Sequence, residues 1–165
     1  MTNNQTLCLI SDSRNCKVSG VTDEVFIIGS GSPEFKQDVE AILEVLKGFG
    51  FSGNFALLSE KSKGYDAFCD KICSKIREAQ FCIALLNDPC SIDVITFRVP
   101  SPNVYYEFGL AVAQGKCVIP VIKRGLVLPF DVQHLDTIIY NDIDDLKIKL
   151  KAPIVAVLRK QKPPL

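Results

Sequence analysis

Short apolar runs alternate with amphipathic stretches along most of the chain, which is the pattern of strands that feed helices. "EVFIIG" (24–29) carries an uninterrupted apolar run of strand length. Runs of this kind, without in–out alternation, predict a strand covered on both faces. The stretch that follows, "SPEFKQDVEAILEVLKGFG", places Phe35, Val39, Ile42, Leu43 and Leu46 on one helical face. Ser32 is its expected N-cap, Pro33 its first helical residue and Gly48 its stop. "NFALLS" (54–59) predicts a second strand. Residues 65–79 predict a second helix, in which Cys69, Ile72, Cys73 and Ile76 share the core face. "FCIALLN" (81–87) predicts a third strand.

An irregular segment, "DPCSIDVITFRVPS", follows it, bracketed by Pro89 and Pro100. It is long for a connection in a compact domain, and such loops are often functional lids. A third helix is expected from Ser101 and Pro102, then a strand over "CVIPVI" (117–122). "TIIY" (137–140) predicts a short fifth strand and "DIDDLKIKLK" a last helix. Strands that alternate with helices imply an α/β fold, one parallel sheet with helices on both faces. Right-handed crossovers favour the flavodoxin-like order 2-1-3-4-5, whose ligands bind at the carboxyl ends of the strands. The expected organisation is an N-terminal extension (1–20), one α/β domain (21–152), and a C-terminal tail or linker start (153–165).

Composition narrows the partners. With 165 residues and 47% of them apolar, the chain suits one domain with a substantial core. Lys plus Arg equals Asp plus Glu, 19 against 19, which argues against nucleic acid or an anionic membrane as partner. No apolar run approaches the roughly 18 residues a membrane helix needs. "MTNNQTLCLISDSRNC" has no basic n-region ahead of its apolar residues, so no signal peptide is expected and a cytoplasmic location is. The seven cysteines are an odd number, lie mostly in apolar patterns and form no C-x-x-C pair. Reduced cysteines, no metal and no cofactor are the expectation.

The candidate chemistry sits at two Ser-Pro helix starts, Ser32-Pro33 and Ser101-Pro102, which a parallel sheet brings to one edge. Free N–H groups there suit a phosphate, although Ser-Pro also starts helices with no ligand at all. "GSGS" (29–32) has neither P-loop nor dinucleotide-fingerprint spacing. The stretch "SPNVYYEFGLAVAQGKCVIPVI" (101–122) contains one acid, Glu107. Periodicity groups it with Asn103, Leu110 and Gln114, opposite an apolar face of Val104, Phe108, Ala111 and Val112. On that reading Glu107 points to solvent. Its placement two turns into a helix that starts at the ligand edge gives the other reading, a functional carboxylate.

"PNVYYEFGLAVAQGKCVIPVI", with "LPFD" and "IIY" downstream, resembles the N-P-N-V-[FY]-Y-E-L-G-x-A-x-x-x-G-K pattern of TIR-like, nucleoside 2-deoxyribosyltransferase-like proteins of bacteria and archaea. The resemblance runs from about Glu24 to Leu150 and implies the flavodoxin-like sheet. Many members cleave the N-glycosidic bond of a nucleoside or of NAD. The resemblance therefore implies a catalytic role for Glu107 and pocket roles for Asn103 and Tyr106, with stress or antiviral defence as a setting. One carboxylate suits this chemistry, since an anion stabilises or captures an oxocarbenium-like sugar. Nicotinamide leaves from an already cationic nitrogen, whereas a neutral base wants a second acid.

The chain departs from the pattern at that second acid. Ala84-Leu85-Leu86-Asn87 stands where relatives read A-D-L-[TS], with Asp88 as a nearby substitute. Gly29-Ser30 stands where many have Pro-Phe. Arg98 in the proline-bracketed loop is a candidate phosphate contact, so the expected substrate set is Gly29, Ser30, Ser32, Asn103, Tyr106, Arg98 and Asp88. Asp131 reads as a turn or cap residue and His134 as an exposed loop residue. A response-regulator receiver would need acids after its first strand, and Gly29-Ser30-Gly31 supplies none. The leading expectation is an N-glycosidase acting on NAD or a related nucleotide, the small-molecule partner. The alternatives are a non-catalytic nucleotide-binding or self-associating module, which would form homo-oligomers, and a nucleoside 2-deoxyribosyltransferase.

Overall fold

A computed structural model describes residues 21–55, 72–87, 101–126, 128 and 130–161. In chain order these form β1 (Glu24–Ile28), α1 (Lys36–Gly48), β2 (Ser52–Asn54), α2 (Ser74–Glu78) and β3 (Phe81–Leu85). Then come α3 (Pro102–Ala113), β4 (Val118–Lys123), β5 (Ile138–Tyr140) and α4 (Ile143–Gln161). The five strands make one sheet in the order β2-β1-β3-β4-β5, and every neighbouring pair is parallel. This is the flavodoxin-like arrangement. Its switch point lies between β1 and β3, where Val25 pairs with Phe81 and Ile28 with Ala84.

Alternation along the strands divides the core in two. Val25, Ile27, Ile83, Leu85 and Val121 face α1 and α4, and Phe26, Ile28, Cys82, Ala84 and Ile122 face α2 and α3. Both faces are covered, so every residue of β3 is buried and the strand needs no polar alternation. Among the described residues no helix is long and apolar enough to cross a membrane. Cys73, Cys82 and Cys117 carry free thiols, the first two buried and Cys117 exposed.

Several boundaries differ from expectation, each for a physical reason. The first helix ends at Gly48, as expected, but starts only at Lys36, and it closes in a Schellman turn, with Phe51 N–H donating to the Leu46 carbonyl at 3.0 Å. Gly50, at φ 83°, is the residue that makes this turn. The chain therefore enters β2 at Ser52, earlier than the apolar run at 54–59, whose residues 56–59 lie outside the described ones. Gly53 is needed there because a Cβ would lie 2.3 Å from Leu43 Cδ2 on α1. The last helix continues through Pro153 to Gln161, beyond the boundary expected at 152. Proline costs one helical hydrogen bond, but burial of Ile154 and Val157 against the sheet favours continuation. Residues 65–71 of the expected second helix, with Cys69, lie outside the described residues, while Ile72, Cys73 and Ile76 are buried as its spacing implied.

Candidate active site

Helix α3 starts at the carboxyl edge of the sheet. Ser101 is extended there, Pro102 supplies the pre-set first helical residue, and Val104 N–H donates back to the Ser101 carbonyl at 3.0 Å. Val104, Phe108 and Ala111 then pack onto the sheet. Glu107 lies on the same side and is only 7% exposed. The reading that put it toward solvent fails, because its stripe-mates Leu110 and Gln114 are themselves half-buried. Water instead covers Tyr106 and Val112, the latter 52% exposed although expected in the apolar face. The wheel was right and its centre was misplaced by about one position.

Burial has a chemical consequence for Glu107. Desolvation pushes its carboxyl from the ordinary 4.5 up to about 7, so near neutrality both protonation states are accessible. Among the described residues no cation or hydrogen-bond donor meets the carboxylate. The buried side-chain oxygens that are sealed without a partner include Tyr105 Oη and Gln114 Oε1. A buried acid with no partner among the described residues adds nothing to stability as an anion, which makes it a candidate for chemistry.

The β1–α1 connection leaves the same edge. Gly29, Ser30 and Ser32 are half-buried there, and Ser30 Oγ accepts from Ser32 N–H at 3.2 Å. One amide of the expected phosphate cradle is therefore already used within the loop. Ser32, expected as the N-cap of α1, instead precedes a 3-10 turn over Pro33–Phe35 and makes no side-chain cap bond, and α1 itself begins at Lys36 behind Phe35. Asn103 and Tyr106 are exposed on α3, and Tyr106 is 55% exposed. Asp88 and Arg98 lie outside the described residues, as do the positions between them. His134 is exposed and meets the Phe130 ring edge-to-face at 5.6 Å.

Leu85 is a core residue on the face of the sheet opposite α3. It is 1% exposed in the α1/α4 core, and a Cβ on Gly29 would lie 3.4 Å from its own Cβ. At that position the chain therefore offers a packing residue and no second acid.

The carboxyl edge also holds a polar network that the sequence did not announce. Lys123 N–H donates to Asn87 Oδ1 at 2.7 Å, Asn87 Nδ2 donates to the Tyr140 hydroxyl, and that hydroxyl donates to Asp38 Oδ1. All three side chains are at most 3% exposed. Burial, then the bond to the Asp38 carboxylate, push the Tyr140 hydroxyl far above the usual phenol range, so it stays a donor. The chain of bonds ties the start of α1 to the ends of β3, β4 and β5. A signal did exist: Asp38 falls one turn before Ile42 on α1, a position a solvated acid would avoid.

With fold and site in hand, the molecule can be set beside known proteins. No protein-family model matches the chain, and no curated protein matches it. Solved structures do. The Clostridium botulinum CMP N-glycosidase BcmB matches with a TM-score of 0.55 at 21% identity. The match covers 79% of this chain and 98% of that one. The likeness is one of fold. This chain shares the five-stranded parallel α/β fold of that N-glycosidase.

Proposed function

We propose that the protein is a nucleotide N-glycosidase in which Glu107 acts on the sugar, with NAD or a related nucleotide as substrate. The observation that carries the reading is Glu107 itself: buried and unpaired among the described residues, on a helix that starts at the carboxyl edge of a sheet shared with a nucleotide N-glycosidase. In this reaction the C1′–N bond breaks, the leaving base takes the bonding electrons, and water adds to C1′. As an anion, Glu107 stabilises the oxocarbenium-like sugar in a site of low dielectric, where one charge has a large effect. Nicotinamide leaves as a neutral molecule from a cationic nitrogen and needs no proton. Leu85 in the core, where relatives carry an acid, favours such a leaving group.

A second reading rests on the raised pKa of the same residue. A carboxyl near 7 still carries a proton at neutral pH and can deliver it to a neutral base, as a CMP-like substrate or a deoxyribosyl transfer requires. The two readings separate by pH. If the anion works on NAD, the rate rises as pH climbs through about 7. If the acid works on a neutral base, the rate falls over the same interval. The test incubates purified protein and Glu107→Gln with NAD, CMP and deoxynucleosides across pH and follows free nicotinamide and free base. Base or nicotinamide release that needs Glu107 supports the glycosidase reading. Nucleotide binding without cleavage of any of them overturns it in favour of a sensor module.

A further inference from the structure

The outer face of α4 carries a stripe that is exposed except at the half-buried Val155. Asp144, Ile148, Lys151, Ala152, Val155 and Arg159 fall within about 100° of one another on the helix, opposite the buried Leu146, Leu150, Ile154 and Val157. Ile148 is 67% exposed, a large apolar side chain in water at the middle of a helix. Beside it is an open groove floored by Ala152, Val155 and Ala156. Two neighbouring lysines are committed internally, Lys147 to Glu44 at 2.5 Å and Lys149 to Asp145 at 2.9 Å. Asp144 and Arg159, at the two ends of the stripe, have no ion-pair partner among the described residues.

The order of these residues is self-complementary. Let a two-fold axis cross α4 between Lys151 and Ala152, so that a second copy of the helix runs antiparallel. Asp144 then faces the second copy's Arg159, and Arg159 faces the second copy's Asp144. Ile148 of one copy falls at the centre of Ala152, Val155, Ala156 and Arg159 of the other. Those four stand at i, i+3, i+4 and i+7, the spacing of a hole that accepts a knob. The two alanines leave the groove that the isoleucine fills. Shape and the two end pairs select this register, the two Lys151 side chains beside the axis weaken it as like charges, and a two-fold contact needs only this one patch.

We propose that the outer face of α4 pairs antiparallel with the same face of a second copy of this chain, Asp144 against Arg159 and Ile148 in the alanine-floored groove. A pair of single helices buries less than a standard interface, so the dimer is a weak, concentration-dependent one. The inference is independent of the glycosidase reading, since no catalytic candidate is on α4.

Sedimentation equilibrium of the full chain at micromolar to millimolar concentration tests it, with helix content monitored to confirm folding. Wild type should show a monomer–dimer equilibrium that weakens with salt. Ile148→Asp should abolish it. Asp144→Arg and Arg159→Asp should each weaken association at least about tenfold, because each places two like-charge pairs across the axis. The double swap Asp144→Arg/Arg159→Asp should return it to near the wild-type value, a recovery that no loss of helix stability would produce. A wild type that stays monomeric throughout overturns the proposal. So does a dimer that ignores Ile148→Asp, or single swaps that the double swap does not rescue.

Discussion

Among the described residues two carboxylates are buried, on opposite faces of one sheet, and they are treated differently. Asp38, in the first turn of α1, accepts the Tyr140 hydroxyl inside a network that reaches Asn87 and β4. Glu107, on α3, meets no donor among the described residues, and burial alone lifts its carboxyl to about 7. The first arrangement has removed the cost of a buried charge and fixed three strand ends together. The second leaves that cost standing. Unrelieved buried charges are enriched at functional sites, and this contrast is what supports the proposal of Glu107 as the functional acid beside a structural Asp38.

The largest expected effect follows directly. Glu107→Gln keeps the shape and removes the anion, so N-glycosidase turnover should fall roughly a thousandfold, the effect of losing about 4 kcal/mol of transition-state stabilisation. Nucleotide affinity measured by calorimetry should stay within about threefold, since helix N-termini and not the acid hold phosphate. A variant that keeps wild-type turnover would erase the distinction between the two acids.

The same substitution should stabilise the fold. A folded-state value near 7 against 4.5 means that the native protein prefers the protonated form. That contribution is fully present below about 4.5 and is lost as pH rises through about 7. At alkaline pH the native state holds an unpaired buried anion, and Glu107→Gln should gain up to roughly 3 kcal/mol there. By pH 4 the gain should vanish. Urea unfolding of both proteins at the two pH values reads it, and a gain that does not depend on pH would mean that the carboxylate is already relieved.

How much of this was legible follows from where each signal is written. The sheet and its order came from apolar runs such as 81–86, because a strand covered on both faces cannot hide its composition. Glu107 was found through its motif, while its burial was hidden because Leu110 and Gln114 are half-buried and blur the edge of the apolar face. Helix α4 was expected only over 142–151, and burial of Ile154 and Val157 against the sheet carries it on to Gln161. The network was illegible for a different reason. Asp38 and Tyr140 are 102 positions apart, and no local pattern records a partner supplied from the other end of the chain.

Removing the hub of that network tests the structural side. Tyr140→Phe keeps the ring and leaves Asp38 and Asn87 each short of a partner in the interior. A loss of about 2 kcal/mol in urea unfolding is expected, with Lys123 N–H exchanging faster once Asn87 is no longer held. If stability is unchanged, the three side chains are neighbours without being a network.

The smallest effect is the most informative, because it repeats the Glu107 change at the other acid. Asp38→Asn also converts a buried carboxylate to an amide of nearly equal volume. Here the oxygen that accepts from Tyr140 survives, so the bond persists but loses its charge assistance. Bonds to charged acceptors contribute more than neutral ones by about 1 kcal/mol, and the new amide N–H must find an acceptor in a site built for an anion. Asp38→Asn should therefore lower stability by roughly 1 kcal/mol at alkaline pH, where Glu107→Gln raises it. One chemical change, made at two buried acids of one sheet, should act with opposite signs. Parallel unfolding of the two variants in one buffer is enough to see it, and a shift of the same sign in both would remove the division of labour between the two carboxylates.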